Sequence, residues 1–158
     1  MNEHLDKTDL LILQALQRNA RLTNKELASL VHLSPTPLFE RWKRLEREGY
    51  IKRYVSILDA DKLNQGFIVF CQVKLRRLGT DIANDFTERI RNFDEVTECY
   101  NISGHFDYLL KIHSYNMKNY QHFLLDKLGR IESVASLEST FVMDEIKHNY
   151  GINLTIPQ

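Results

Sequence analysis

The densest cluster of cationic side chains in this 158-residue sequence lies in one short segment, although the chain has no net charge. The cations outnumber the anions Glu46 and Glu48 there, and they are Arg41, Lys43, Arg44, Arg47, Lys52 and Arg53. A basic run on a helix is most often a solvated face, but clustered Lys and Arg also bind the phosphates of nucleic acids. The predicted elements around the cluster decide between these two interpretations.

On a helical wheel, the segment that begins at Ser34 has two different sides. Leu38, Trp42 and Leu45 fall together, which predicts a face packed against a core. Polar and cationic side chains occupy the opposite side, the arrangement of a recognition helix that enters the DNA major groove with its first turn. The predicted DNA-contacting residues are Ser34, Thr36, Pro37, Glu40, Arg41, Lys43, Arg44, Arg47, Lys52 and Arg53.

Different roles are expected within this set. Lys43 and Arg44 have the chemistry to pair with guanine or phosphate, and Thr36 with a base edge or a thymine methyl group. Ser34 and the first-turn amides can hold a phosphate, as can Lys52 and Arg53 beyond the helix. Arg41 projects to the flank of the helix, where phosphate contact or an internal ion pair is expected.

A second group of polar residues surrounds Gly104. Glycine lets a backbone approach a ligand closely, and the nearby Asp107 can pair with an ammonium group. Tyr108 offers a flat wall and a hydroxyl. An ordinary β-hairpin turn with a surface aspartate is the alternative, and these residues alone favour that alternative.

The elements that position the first cluster are three helices and a short strand. Asp6 can cap the first helix, and Thr23 with Glu26 has the capping-box spacing that begins the second. Ser34, followed by proline at the first helical position, begins the third. Because only a short turn separates the last two helices, they form a helix-turn-helix. Residues 51–58 alternate as a short strand or wing, and residues 59–65 are predicted to be a linker.

After Gly66 the hydrophobic period changes from helical to alternating. The expected elements are a strand from Phe67 to Leu75, a helix capped by Thr80, strands at 95–103 and 106–114, a helix capped by Asn116, and a long strand at 130–147. This order is βαββαβ, the ferredoxin-like α+β arrangement. Ile68, Phe70 and Leu109 make the sheet face without helices too apolar to remain in water, so a partner is expected to cover it.

The same patterns exclude several classes of protein. No apolar run is long enough to span a membrane, and the first residues contain no secretory signal, so a cytoplasmic protein is expected. Cys71 and Cys99 are interpreted as small core residues in a reducing compartment. No nucleophile–base pair, phosphate loop or metal-ligand spacing is present, so no catalysis, cofactor or metal site is predicted.

Two long segments together resemble one known family. LDKTDLLILQALQRNARLTNKELASLVHLSPTPLFERWKRLEREGYIKRY resembles the DNA-binding part of the Lrp/AsnC regulators, and ECYNISGHFDYLLKI with VASLESTFVMDEIK resembles their effector-binding domain. The resemblance implies a winged helix-turn-helix domain at 1–58, a linker at 59–65, a ferredoxin-like (RAM or ACT-like) domain at 66–147 and a tail at 148–158. It further implies sequence-specific regulation of transcription, homodimers that assemble into octamers, and control by an amino acid. An architectural DNA-packing protein without an effector is the alternative.

By this resemblance the Gly104 turn becomes an effector site. The implied effector-binding residues are Asn101, Ser103, Gly104, His105, Phe106, Asp107, Tyr108, Ser136, Leu137 and Ser139. The sequence departs from the family pattern at His32, where the turn usually has glycine, and at Glu40, where an arginine is common. It also has Leu137 in place of one of two small hydroxyl residues, which predicts a preference for an effector with an apolar side chain.

Overall fold

The computed structural model describes residues 5–156, which divide into two compact units. The first unit is the described part of residues 1–57 and 147–158, and the second is residues 58–146. None of the helices within 5–156 is long and apolar enough to cross a membrane.

Three helices form the first unit, and their ends follow from local sequence signals. They are α1 (Lys7–Arg18), α2 (Asn24–Leu30) and α3 (Pro35–Arg47). The predicted capping box of Thr23 and Glu26 is confirmed, and Asp6 caps α1 in a reciprocal box with Asp9. Ser34 is the N-cap residue of α3 as predicted, but its side chain makes no capping hydrogen bond. The helices enclose a core that includes Ile12, Leu27, Leu38 and Leu45, each fully buried.

The strand predicted for residues 51–58 is not formed, and this segment has no regular structure. A strand requires a hydrogen-bonded neighbour, and no strand within the described residues 5–156 pairs with the segment. Val55, Ile57 and Leu58 consequently remain 62%, 63% and 69% exposed. Alternation of residue types predicted this strand, but alternation does not supply the neighbouring strand that pairing requires.

The described C-terminal residues of the first unit return to α1. The side-chain amide of Gln17 donates to the carbonyl of Ile152 over 2.7 Å and accepts from the N–H of the same residue over 3.0 Å. This paired contact anchors the segment that the sequence analysis treated as a tail.

The second unit has the predicted βαββαβ order. Its elements are β1 (Phe67–Leu75), α4 (Thr80–Arg91), β2 (Val96–Asn101), β3 (Tyr108–Ser114), α5 (Met117–Asp126), a 3-10 turn (Leu128–Arg130) and β4 (Val134–Phe141). The antiparallel strands lie in the order β2-β3-β1-β4. Side chains from β1 and β3 pack with α4 and α5 into a core that includes Val69, Val73, Phe86 and Leu110, all fully buried.

Three details of this unit differ from the predictions. Gly79 is the N-cap of α4, and Thr80 is its first helical residue. The last strand is much shorter than the predicted 130–147. Arg130 belongs to the 3-10 turn and a further turn precedes Val134, while at the other end the partner strand β1 begins only at Phe67. Cys71 is buried as expected, but Cys99 is exposed because β2 is an edge strand.

The register of the sheet defines its two faces. Val73 pairs with Tyr108 on one side and with Leu137 on the other, and directly paired residues point to the same face. Because Val73 and Tyr108 are buried under the helices, this row lies on the helix-covered face. Ile68, Phe70 and Leu109 point to the opposite, open face and remain half-exposed in the single chain.

Candidate DNA-binding and effector sites

The third helix has the two-sided character that the helical wheel predicts. Leu38 and Leu45 are completely buried, and Trp42 packs against the same core. Thr36, Glu40, Lys43 and Arg47 are exposed, as are Ser34 and Pro37 in the first turn. The helix can therefore meet DNA on one side without disturbing the core on the other.

The turn before α3 and the end of α3 both use left-handed backbone. His32 has a φ of 55°, so this histidine adopts the left-handed conformation that favours glycine. Gly49, with a φ of 79°, follows the C-cap Glu48 and ends α3.

Two arginines of α3 are bound to the first turn of α1. An Nη atom of Arg41 lies 2.5 Å from Asp6 and 2.9 Å from Asp9, which confirms the internal ion pair considered for this residue. Arg44 also pairs with Asp9, over 2.5 Å, an interaction that the sequence analysis did not anticipate. Burial acts to raise the pKa of Asp6, but the N–H of Asp9 and the Arg41 guanidinium outweigh it and lower that pKa.

The cations beyond α3 are held near it by a tyrosine. Tyr54 accepts a hydrogen bond from the Trp42 indole over 2.6 Å and donates to Glu46 over 2.9 Å. Glu46 also forms an ion pair with Lys43 over 2.7 Å, which lowers the pKa of the Glu46 carboxyl. Tyr54 thus fixes the segment that carries the exposed side chains of Lys52 and Arg53, a role that the sequence analysis missed.

The loop between β2 and β3 carries the centre of the predicted effector site. Gly104 has a φ of 133°, which strongly favours glycine, and no neighbouring atom lies within 4 Å of where a side chain would begin. Ser103, Gly104 and His105 are exposed, whereas Phe106 is half-buried with its ring edge-on to His105. The backbone of this loop is therefore open to a small molecule.

Asp107, the last residue of this loop, binds two donors on β1. Asp107 is only 9% exposed. Its carboxylate accepts hydrogen bonds from the Lys74 ammonium over 2.9 Å and from the Leu75 N–H over 2.8 Å. Burial acts to raise the pKa of Asp107, but these two donors outweigh it and hold the pKa below its usual value. The backbone carbonyl of Asp107 also accepts from the side chain of Asn101.

The remaining predicted effector residues lie on two faces of the sheet. Leu137 and Ser139 are on the helix-covered face, where Leu137 packs against the core and Ser139 lies 2.5 Å from the hydroxyl of Tyr120. Burial raises the pKa of Tyr120 to about 12. Ser136 pairs with Lys74 on the open face and is exposed. The register therefore brings Leu137, but not Ser136, onto the face that contains Tyr108.

Two residues important to these surfaces were not identified from sequence. Lys74 holds Asp107 but appears in the sequence only as a polar position of an alternating strand. Asp9 has a side chain that is only 1% exposed and that binds two arginines. The position of Asp9 among the apolar residues of α1 was the available signal that it is buried. Within residues 5–156, no group of three or more His, Cys, Asp or Glu residues is arranged to hold a metal ion.

A cationic helix-turn-helix joined to a ferredoxin-like unit defines a class of regulators that combine a DNA reader with a ligand-binding domain. Comparison with known families agrees with this class. The Lrp/AsnC ligand binding domain matches residues 68–152, and the winged helix-turn-helix DNA-binding family matches residues 5–52. The chain belongs to the Lrp/AsnC family of transcriptional regulators, which are not enzymes.

Individual relatives match along almost the whole chain. The leucine-responsive regulatory protein of Escherichia coli (strain K12) is 38% identical over 145 residues, which cover 92% of this chain and 88% of that protein. A transcriptional regulator of Neisseria meningitidis, solved as its L-Met complex, is 40% identical with a TM-score of 0.92, covering 95% of this chain and 97% of that one. An AsnC family regulator from Agrobacterium tumefaciens is 32% identical with a TM-score of 0.90, covering 94% and 97%.

Proposed function

We propose that this regulator reads its operator with the exposed side of α3, using the ten DNA-contacting residues predicted from the sequence. The observation that carries the proposal is the division of α3 into a buried side, with Leu38 and Leu45, and an exposed side with Lys43 and Arg47. Lys52 and Arg53 bind flanking phosphates, because Tyr54 holds their segment beside α3.

The double variant Lys43→Ala/Arg44→Ala tests this role of α3. We expect weaker operator binding and a shallower salt dependence, by about one released counterion for each lost phosphate contact. Arg89→Ala/Arg91→Ala is the matched control, because it removes two exposed charges from α4 in the second unit. Unchanged binding by the α3 variant, or an equal loss in the control, would contradict the assignment.

We further propose that the second unit binds an amino acid with an apolar side chain at the loop between β2 and β3. The L-Met complex of the relative from Neisseria meningitidis and the leucine-responsive relatives support this class of ligand. Asp107 has a bound donor on each carboxylate oxygen, and a carboxylate has about four acceptor positions, so capacity for an ammonium group remains. Exposed loop amides bind the carboxylate of the ligand, and Leu137 borders its side chain.

Calorimetric titration with each of the twenty amino acids tests this site. Asp107→Asn keeps the shape of the side chain but removes its charge, so we expect it to weaken binding of an apolar amino acid at least tenfold. Asp126→Asn is the control, because Asp126 is an exposed aspartate of the same unit, on α5. The site is wrong if no amino acid binds or if both variants bind like the wild type.

The assembly that we propose is a homodimer formed through the open face of the sheet, with dimers associating further into an octamer. The half-exposed Ile68, Phe70 and Leu109 support a partner on that face. The exposed apolar residues Val55 and Ile57 support a second contact between copies at the segment that lacks a strand partner. Because the partner of α3 is chromosomal DNA, we also propose that the protein acts in the cytoplasm.

The domain boundaries at 58, 65 and 147 remain our proposal. The division of the chain between Ile57 and Leu58 and between Ile146 and Lys147 supports the first and last of them.

A further inference from the structure

Asp9 has an unusual position for a charged residue. Its side chain is 1% exposed, although it lies in the first turn of a helix that is open to solvent on its other side. Burying a carboxylate is costly unless donors replace the lost water. Three donors do so here: Arg41 on one oxygen, and Arg44 with the N–H of Asp6 on the other.

The consequence for α3 is geometric as well as electrostatic. Arg44 and Arg41 stand three residues apart on α3, and one buried carboxylate on another helix restrains both guanidinium groups. A guanidinium has five N–H donors in a fixed planar fork, so a contact with Asp9 orients the group without exhausting its capacity to bind DNA. An open groove of about 650 Å³ lies along these residues and is also lined by Glu40, Lys43 and Arg47.

We propose that Asp9 is a positioning residue for operator recognition, which orients Arg44 for base contact and offsets the charge of Arg41 and Arg44 toward non-specific DNA. A side chain that is already ordered loses less conformational entropy on binding, and an offset charge attracts any phosphate backbone less strongly. Asp9 therefore favours the correct sequence over other DNA, although it contacts no DNA itself. This proposal rests on the proposed role of α3.

Asp9→Asn tests the proposal by measuring operator DNA and random-sequence DNA in parallel over a range of salt concentrations. We expect affinity for random DNA to rise several-fold, because the uncompensated cations attract phosphates. Discrimination between the two DNAs should fall about tenfold, within the range that one bidentate base contact supplies. Circular dichroism of each variant establishes whether the helices remain folded.

Asp6→Asn is the matched control, since Asp6 also caps α1 and binds Arg41, whereas the buried carboxylate that holds Arg44 is that of Asp9. Its discrimination should stay close to that of the wild type. Equal losses in the Asp6→Asn and Asp9→Asn variants would show that only the start of α1 matters and would overturn the proposal.

Arg44→Lys keeps the positive charge but lacks the guanidinium fork, so we expect a loss of discrimination similar to that of Asp9→Asn. This variant leaves Asp9 and the cap of α1 in place, and it keeps the proposal testable if Asp9→Asn does not fold. Arg44→Ala separates DNA contact by Arg44 from positioning of Arg44 by Asp9. Unchanged operator binding by Arg44→Ala would refute a DNA-contacting role for Arg44. A loss in Arg44→Ala with full discrimination in Asp9→Asn would refute the positioning role alone.

Discussion

Asp9 in the first unit and Asp107 in the second are both buried aspartates, but they bind different kinds of donor. Asp9 is bound mainly by the side chains of Arg41 and Arg44, which are 35% and 26% exposed. Asp107 is bound by Lys74 and by a backbone N–H of β1. A guanidinium bound to a carboxylate still has N–H donors that can bind another group, whereas the backbone N–H of Leu75 is fully used within the sheet. The comparison supports oriented cations for a polyanion in the first unit and a loop held in place for a small ligand in the second.

The second unit, unlike the first, leaves one face of a sheet uncovered, and a charge on that face should have the largest effect of the variants considered. Phe70→Asp places a charge on the open face of the sheet, which can then no longer be removed from water at low cost. We expect analytical ultracentrifugation to show smaller species or loss of soluble protein. Asn84→Asp is the control, because it places the same charge on an exposed polar residue of α4, which covers the other face of the sheet. A folded wild-type monomer at micromolar concentration would contradict the proposed assembly.

Removal of each buried aspartate should lower the free energy of unfolding by a different amount. Asp9→Ala leaves two arginines without their buried partner, and we expect a loss of about 2–4 kcal/mol. Asp107→Ala should cost about 1–3 kcal/mol, because Lys74 is partly exposed and can recover water. Hydrogen exchange should show faster exchange in α1 and α3 for Asp9→Ala, and in β1 and the loop 102–107 for Asp107→Ala. Equal acceleration throughout the chain in both variants would contradict separate roles.

Leu137→Thr tests which face of the sheet borders the ligand. Restoring a hydroxyl should shift the preference from apolar toward polar amino acids by about 1–3 kcal/mol, the usual scale for a small change in an apolar pocket. Ser136→Ala, one residue away on the open face, should leave the preference unchanged. A shift in the Ser136 variant alone would place the ligand on the other face.

The smallest expected effect is a change of stability with pH. The pKa of Asp107 in the folded chain is below its usual value, so its ionised form stabilises the fold above about pH 4. That contribution disappears as the pH falls through the folded-state pKa. The stability difference between wild type and Asp107→Asn should therefore be constant from pH 5 to pH 7 and shrink below pH 4. A difference that grows on acidification would reverse the assigned direction.

Local signals in the sequence predicted much of the first unit. Capping residues, the proline after Ser34 and the apolar stripe of α3 act over one or two helical turns, so a wheel and a cap rule locate them. The ion pairs of Arg44 and Arg41 with Asp9 join residues on different helices, and no local rule reports them. The strand predicted at 51–58 was wrong for the same reason. Strand pairing depends on a partner that is distant in sequence or belongs to another copy of the chain.

In the second unit the element order was predictable and the arrangement of the site was not. Alternation identified β1, but the side of the sheet occupied by Leu137, Ser139 and Ser136 depends on register across strands that are far apart in sequence. Lys74 shows the same limit. Its pairing with Asp107 becomes visible only when β1 and β3 are aligned.

Reciprocal linkage between DNA and an amino acid tests the central claim, that this regulator couples a reader to a sensor. Operator affinity should be measured with and without saturating L-methionine or L-leucine, and amino-acid affinity with and without operator DNA. We predict that the ligand changes operator affinity by a factor of about 5–150, and that DNA changes affinity for the ligand by the same factor. If DNA binds but none of the twenty amino acids alters DNA affinity or assembly, the coupling is contradicted and an architectural DNA-packing role replaces it.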